Sequence, residues 1–296
     1  MEECDKQFMY ANGFEFVRLI GHGSFGVIYQ VFSHQYNMEF ALKRVLREKF
    51  MDNEIECMIA IKSSSIVPLF QYYYLDNYVY LLMEYCPSNI EQYVKEQGDT
   101  ISILRQYQIA MGMALSVASC HDFDIGHCDI KPSNFLLDKN GRVKICDFGL
   151  SKKILPTQDS SIIGGTIIFL APEILAKKQY DPKKADVWAL GVSYYYLITG
   201  TYPWAMDSKQ IMLQTIHHCI YDESKIHDLF FKQLIKECLS LDPNQRPNAQ
   251  DIANNIRRKV DTGKKKIVRP HSHVFLRSST NLLSSGSNAS FRLQAN

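Results

Sequence analysis

His127-Cys128-Asp129-Ile130-Lys131-Pro132-Ser133-Asn134, followed by Val143-Lys144-Ile145-Cys146 running into Asp147-Phe148-Gly149, is the stretch on which the reading of this chain turns. It packs an acid, a base and an amide into eight residues, behind a long helical pattern and ahead of an apolar strand. Asn134 and Asp147 together offer oxygen ligands of the hard type that Mg2+ prefers alongside phosphates. Asp129 stands apart from both, free to accept a proton from an incoming hydroxyl.

Upstream lies Gly21-His22-Gly23-Ser24-Phe25-Gly26. Alone, a Gly-x-Gly-x-x-Gly also marks dinucleotide folds, or a plain glycine hairpin with no ligand. The dinucleotide reading requires a helix at the third glycine, whereas Val27-Ile-Tyr-Gln-Val-Phe32 has strand character. A loop between two strands can lie over phosphates through its bare backbone N–H groups. Seventeen residues past Gly26, Lys43 sits in the apolar run Ala41-Leu-Lys43. It either snorkels to solvent or, held by an acid, grips phosphate oxygens. Glu54 precedes the core candidate Met58 by four residues and shares its helix face, whereas Glu56 points away, so Glu54 is the better partner for Lys43.

Short aromatic and β-branched runs predict strands over 14–20, 27–32, 40–45, 68–74 and 79–84. Residues 52–61 have helical spacing behind Asp52 as expected cap. Beyond Pro87 the period changes, and 102–121, 183–199, 209–217, 229–239 and 249–257 read as helices. The pattern is a small sheet with one helix, then a larger helical unit, joined near 84–89.

With Ala171-Pro172-Glu173 and Asp186 added in order, the chain resembles a eukaryotic protein kinase over about residues 10–257. The resemblance implies an α+β bilobal fold, with a five-stranded antiparallel sheet and one helix in the N-lobe (10–83), a hinge (84–89) and a mostly helical C-lobe (90–257). It implies ATP and Mg2+ as cofactors and protein Ser/Thr hydroxyls as substrate. Lys43, paired with Glu54, would hold the α- and β-phosphates under Gly21, Gly23 and Gly26. Ile20, Ile28, Ala41, Leu136 and the gatekeeper Met83 would line the nucleotide site, with Glu84 and Cys86 meeting adenine. Asp147 and Asn134 would hold the metal, Asp129 would take the hydroxyl proton, and Lys131 would neutralise the moving phosphoryl group. Thr166 would steady Asp129 and Lys131. Met58, Leu69, His127 and Phe148 would stack between the lobes on Asp186, and Glu173 would pair with Arg246.

Lys131 and Gly165-Thr166 resemble the serine/threonine class. Ile90, Ser133, Ile168 and Tyr196 stand where members that select arginine carry acids, so no strong arginine preference is expected. Cys128 departs from the family, in which an arginine here usually meets an activation-segment phosphate. Activity is therefore expected not to depend strictly on phosphorylation at Thr157, Ser160 or Ser161, unless Lys152 or Lys153 takes the role. Cys146 is either an alkylatable thiol at the rear of the nucleotide site or an inert packing residue. His22 and His121 are expected to have no catalytic part. A catalytically dead binding module would usually lack Lys43, Asp129 or Asp147, and all three are present.

The 296 residues carry 46% apolar and 22% charged types, which excludes a wholly disordered, collagen-like or coiled-coil chain. Eight cysteines without a Cys-x-x-Cys pair argue against a disulfide framework or zinc cluster. Residues 257–296 hold nine Lys/Arg against Asp261, leaving −6 on the rest, and an acidic body argues against nucleic acid as partner. The basic, Ser-rich stretch 258–296 reads as a flexible tail: a linker, a phosphorylation or pseudosubstrate segment, or an anionic-surface contact. No apolar run of about 18 residues is present to span a membrane, and no hydrophobic stretch follows Met1-Glu2-Glu3, so a cytoplasmic location is expected.

Overall fold

A computed structural model describes residues 1–23, 26–153 and 166–267 of the chain. It begins with a helix, α1 (Glu3–Ala11), then β1 (Phe14–Gly23), β2 (Gly26–Ser33), β3 (Met38–Leu46), α2 (Asn53–Ala60), β4 (Leu69–Leu75) and β5 (Tyr78–Glu84). The strands form one antiparallel sheet in the order β1-β2-β3-β5-β4. Side chains alternate across it as the strand period demands. Phe40, Leu42, Tyr80 and Leu82 face outward into one apolar cluster, while Ala41, Val45, Leu81 and Met83 face inward to the main core.

The sheet with α2 matches the expected N-lobe, and α1 is an addition to it. Phe8 and Met9 of α1 cover the outer face of the sheet, so β3 is buried on both sides. That explains why Phe40, Ala41 and Leu42 are consecutive apolar residues rather than an alternation. Asp5 on α1 is fully buried and accepts from the Tyr29 hydroxyl (2.5 Å) and the Tyr80 hydroxyl (2.9 Å), with the Arg44 guanidinium 3.0 Å away. Burial, then Asp5 itself, pushes both phenols well above their ordinary pKa. Asp5→Ala leaves two hydroxyls without their acceptor inside the lobe, while Arg44 keeps Glu2 at 2.7 Å. We expect a loss of about 2–4 kcal/mol, read as a lowered melting temperature, with Asp5→Asn losing less.

After the hinge come β6 (Ser88–Asn89), α3 (Ile90–Gln97), α4 (Ile103–His121), β7 (Ile125–Gly126), β8 (Phe135–Leu137), β9 (Val143–Ile145), β10 (Lys152–Lys153), α5 (Pro172–Leu175), α6 (Pro182–Thr199), α7 (Lys209–His217), α8 (Leu229–Cys238) and α9 (Ala249–Ile267). The helix α3 escaped the sequence reading. Its N-terminus is capped by Asn89, which accepts from the Gln92 amide. Ser102 and Asp181 cap α4 and α6 in the same way, with Pro182 opening α6. Within α4, a Cβ at Gly112 would stand 2.8 Å from Val143, so the glycine lets β9 press against the helix.

Two expectations are corrected. Asp52 does not cap α2: its backbone is already αR, and its carboxylate bonds Arg47 (3.0 Å) and Tyr74 (3.1 Å) instead. The last helix does not stop at Arg257 but runs to Ile267, so the stretch expected as tail begins inside α9. Residues 268–296 lie outside the described residues, as do Thr157, Ser160, Ser161 and Gly165.

Candidate active site

Between the inner face of the sheet and the C-lobe lies a cleft of about 610 Å³, within the range of small-molecule sites. Ile20, Gly21, Gly26, Ile28 and Ala41 line it from above, Met83, Glu84 and Cys86 from the hinge, and Asn134, Leu136, Cys146 and Asp147 from below. Gly23 pairs with Gly26 at the end of the β1–β2 hairpin, whose tip, 24–25, lies outside the described residues. At Gly26 φ is +118°, and a Cβ would fall 2.0 Å from the Arg44 carbonyl oxygen, so only glycine fits. Val67, Tyr85 and Gln92 also line the cleft. None carries a motif, and nothing in the sequence singles them out.

Lys43 rises from β3 into this space and is buried. Its ammonium lies 2.7 Å from Glu54 on α2 and 3.1 Å from Asp147. Burial alone would lower its pKa, but Glu54 and Asp147 overcome that and hold it charged, well above the ordinary value. For Asp147, burial pulls the pKa upward, and Lys43 prevails to set it below the usual carboxylate value. Glu56 points away, as expected, and meets Lys153 at 3.6 Å on the surface.

Across the cleft, one oxygen of Asp129 accepts from Lys131 (2.7 Å) and from the Asn134 amide (3.0 Å). Asn134 Nδ2 also donates to the Asp129 carbonyl at 2.9 Å. Its nitrogen is thereby committed, and among the described residues its Oδ1 has no protein partner; nor have Oδ2 of Asp147 and Oδ1 of Asp129. Two uncommitted hard oxygens at the floor of the cleft are a donor set that suits Mg2+.

The loop is held from behind by Asp186, which is almost fully buried. Its carboxylate accepts from the amides of His127 (2.8 Å) and Cys128 (2.9 Å), and His121 Nε2 lies 3.0 Å away. His121, expected to have no catalytic part, closes the last turn of α4 and backs Asp186. Both Cys128 (φ +63°) and Asp147 (φ +66°) adopt left-handed backbone, uncommon outside glycine, so both loops carry local strain where the acids meet. His127 Nε2 is 3.0 Å from the Cys146 carbonyl, and its ring packs 5.0 Å from Phe148. Met58, Leu69 and Phe148 belong to the same core.

Thr166 and Cys128 share with Asp129 the wall of a cavity of about 50 Å³. Thr166 is exposed, and among the described residues no hydrogen bond joins it to Asp129 or Lys131, whose polar atoms already engage each other. Lys152 reaches the same cavity, 3.5 Å from the Tyr180 hydroxyl. Burial, with Asp186 nearby, drives the Cys128 thiol far above its ordinary pKa. Burial and then Asp147 do the same to Cys146, which favours the inert packing reading, and Cys86 is pushed up to about 12 by burial. Glu173 and the buried Arg246 form a bidentate pair at 2.6 and 2.8 Å. Lys144 on β9 ion-pairs with Glu84 and ties the hinge to the lower lobe, a contact the motifs did not announce.

Comparison with known proteins agrees with this geometry. The chain is similar to sperm motility kinase 2B of Mus musculus, 29% identical over 243 residues covering 79% of this chain and 49% of that protein. It is similar to testis-specific serine/threonine-protein kinase 1 of Mus musculus, 29% identical over 80% of this chain and 69% of that protein. It also resembles CBL-interacting serine/threonine-protein kinase 19 of Arabidopsis thaliana, 27% identical over 85% of this chain and 54% of that protein. The chain spans about half the length of most of these relatives. The family described as "Protein kinase domain" matches residues 14–256, and the chain belongs to that family.

Proposed function

We propose that the chain transfers the γ-phosphoryl group of ATP to serine or threonine hydroxyls of proteins, with Mg2+. What carries the reading is that Lys43, Glu54, Asp147, Lys131 and Asn134 line one cleft, with Asp129 bonded to Lys131 and Asn134 beside it. The serine/threonine assignment draws on Lys131 and on relatives that bear that name.

Lys43, kept protonated by its two carboxylates, positions the α- and β-phosphates, while Gly21 and Gly26 let backbone amides approach from above. Asn134 and Asp147 would hold Mg2+ through the oxygens free of protein partners; when bound, it would neutralise charge on the transferring phosphates. Asp129 orients the substrate hydroxyl and accepts its proton on the uncommitted oxygen. Lys131, on the other Asp129 oxygen, stands ready to offset charge on the moving group. Substrate selection without strong arginine preference fits a fully buried Ile90, and a buried Tyr196 whose hydroxyl donates to the Glu91 carbonyl.

The test is incorporation of phosphate from Mg2+-ATP into serine or threonine of a generic protein substrate by the purified chain. Failure to bind Mg2+-nucleotide at millimolar concentration overturns the proposal. Because Cys128 carries no guanidinium to receive a phosphate, we further expect phosphatase treatment to leave activity unchanged within about twofold, measured in the same assay. Abolished activity would reinstate a phosphate receptor elsewhere, with Lys152 as the first candidate.

With −6 on the residues outside 257–296, we expect no nucleic-acid partner. No helix among the described residues is long and apolar enough to cross a membrane.

A further inference from the structure

Glu54 occupies the first turn of α2, a helix of only eight residues. The Glu54 amide donates to the Met51 carbonyl (2.9 Å) in the turn before α2, but Asp52, engaged with Arg47 and Tyr74, gives that turn no side-chain cap. Helix ends with orphan amides open first. Opening here would carry Glu54 away from Lys43.

Besides the Lys43–Glu54 pair itself, a long-range bond opposes this. Nδ2 of Asn53, the residue before Glu54, donates to the Ser151 carbonyl at 2.7 Å, across 98 residues of sequence. Ser151 is itself anchored twice: its amide donates to the Phe148 carbonyl (3.0 Å) and its hydroxyl to the His127 carbonyl (3.2 Å), with the residue 1% exposed. The Asn53 amide thus ties the start of α2 to the two loops that carry Asp147 and Asp129. Its Oδ1 is buried and has no hydrogen-bond partner among the described residues. An apolar residue at this position would escape the penalty of that orphaned oxygen. Asparagine is explained by what its N–H does.

We infer that Asn53 is a positioning residue for phosphoryl transfer: its bond to Ser151 holds Glu54 on Lys43 and couples the nucleotide side of the cleft to the Asp129 loop. The inference rests on the kinase reading for its consequence and on geometry alone for its existence. It supplies a route from the segment after Asp147 to α2 that does not pass through Cys128. The exposed Glu56–Lys153 pair at 3.6 Å is too screened to replace it.

The experiment compares wild type with Asn53→Leu and Asn53→Asp, both close to the native size and both lacking the donor, and with Asn53→His, whose ring N–H stands at the same distance along the side chain. Amide hydrogen exchange over 53–60 is read in the nucleotide-free full chain, together with kcat, the KM for protein substrate and the melting temperature. We expect exchange in α2 to accelerate about tenfold in the Leu and Asp variants, more than elsewhere in the molecule. We expect kcat to fall about tenfold with KM nearly unchanged, and the His variant to recover part of both. Unchanged exchange and kcat in either folded donor-less variant overturns the inference. So does a fall in melting temperature with exchange raised uniformly, which would make Asn53 merely structural. Because exchange needs no turnover, an inactive wild type would overturn the kinase proposal and leave the Asn53 bond standing.

Discussion

Asp147→Asn reduces phosphate incorporation by about 10³-fold or more while the protein stays folded. The substitution removes the Asp147 carboxylate, whose Oδ2 is free of protein partners among the described residues, and an amide cannot replace its charge on the metal and phosphates. The fold tolerates the change for two reasons. Asparagine is among the few residues that accept left-handed backbone, which position 147 requires at φ +66°. Lys43 also keeps its nearer partner Glu54 at 2.7 Å. Turnover and melting temperature therefore separate, which makes the variant a clean control for the proposed activity. Its pH dependence has a definite sign. Burial raises the Asp147 pKa and Lys43 more than compensates, so the folded value lies below the unfolded one. The stability Asp147 contributes is complete above the unfolded value of about 4 and is lost as pH falls through the folded value. The melting-temperature difference between wild type and Asp147→Asn is expected to stay constant from pH 7 to 5 and to narrow only below about 4.

Asp186→Ala, by contrast, removes fold and activity together. Its carboxylate is the acceptor for the amides of His127 and Cys128 and the partner of His121. Truncation leaves two backbone N–H groups buried without acceptors, each costing about 1–3 kcal/mol, and releases the strained turn at Cys128. A combined loss of about 3–5 kcal/mol is a large share of a typical net stability of about 5–15 kcal/mol. Denaturant unfolding should show it. In whatever fraction remains folded, kcat should fall because Asp129, next to the released residue, is no longer aimed. His121→Ala should reproduce only a minor part, since Asp186 keeps both backbone donors.

Much of this site was legible in the linear chain. The loop from His127 to Asn134, the Asp147 turn and Lys43 are short-range arrangements whose chemistry depends on residue type and spacing over a few positions. Glu54 was separable from Glu56 because a helix places residues four apart on one face, and the structure puts Glu54 against Lys43. The five strands were found because β-branched and aromatic runs broken by polar turns are a local signal. Where local signals misled, a competing partner was the cause. Asp52 has the chemistry of a cap, but Arg47 and Tyr74 claim its carboxylate.

The amino-acid order alone determined the catalytic alphabet: which acids, amide and lysines are available, and on which strand or loop each stands. Packing decided the rest. That α1 closes the outer face of the sheet on a buried carboxylate, that His121 backs Asp186, and that Asn53 reaches Ser151 are pairings between distant segments. No periodicity records them, because burial and hydrogen-bond satisfaction select such partners only once the lobes have come together.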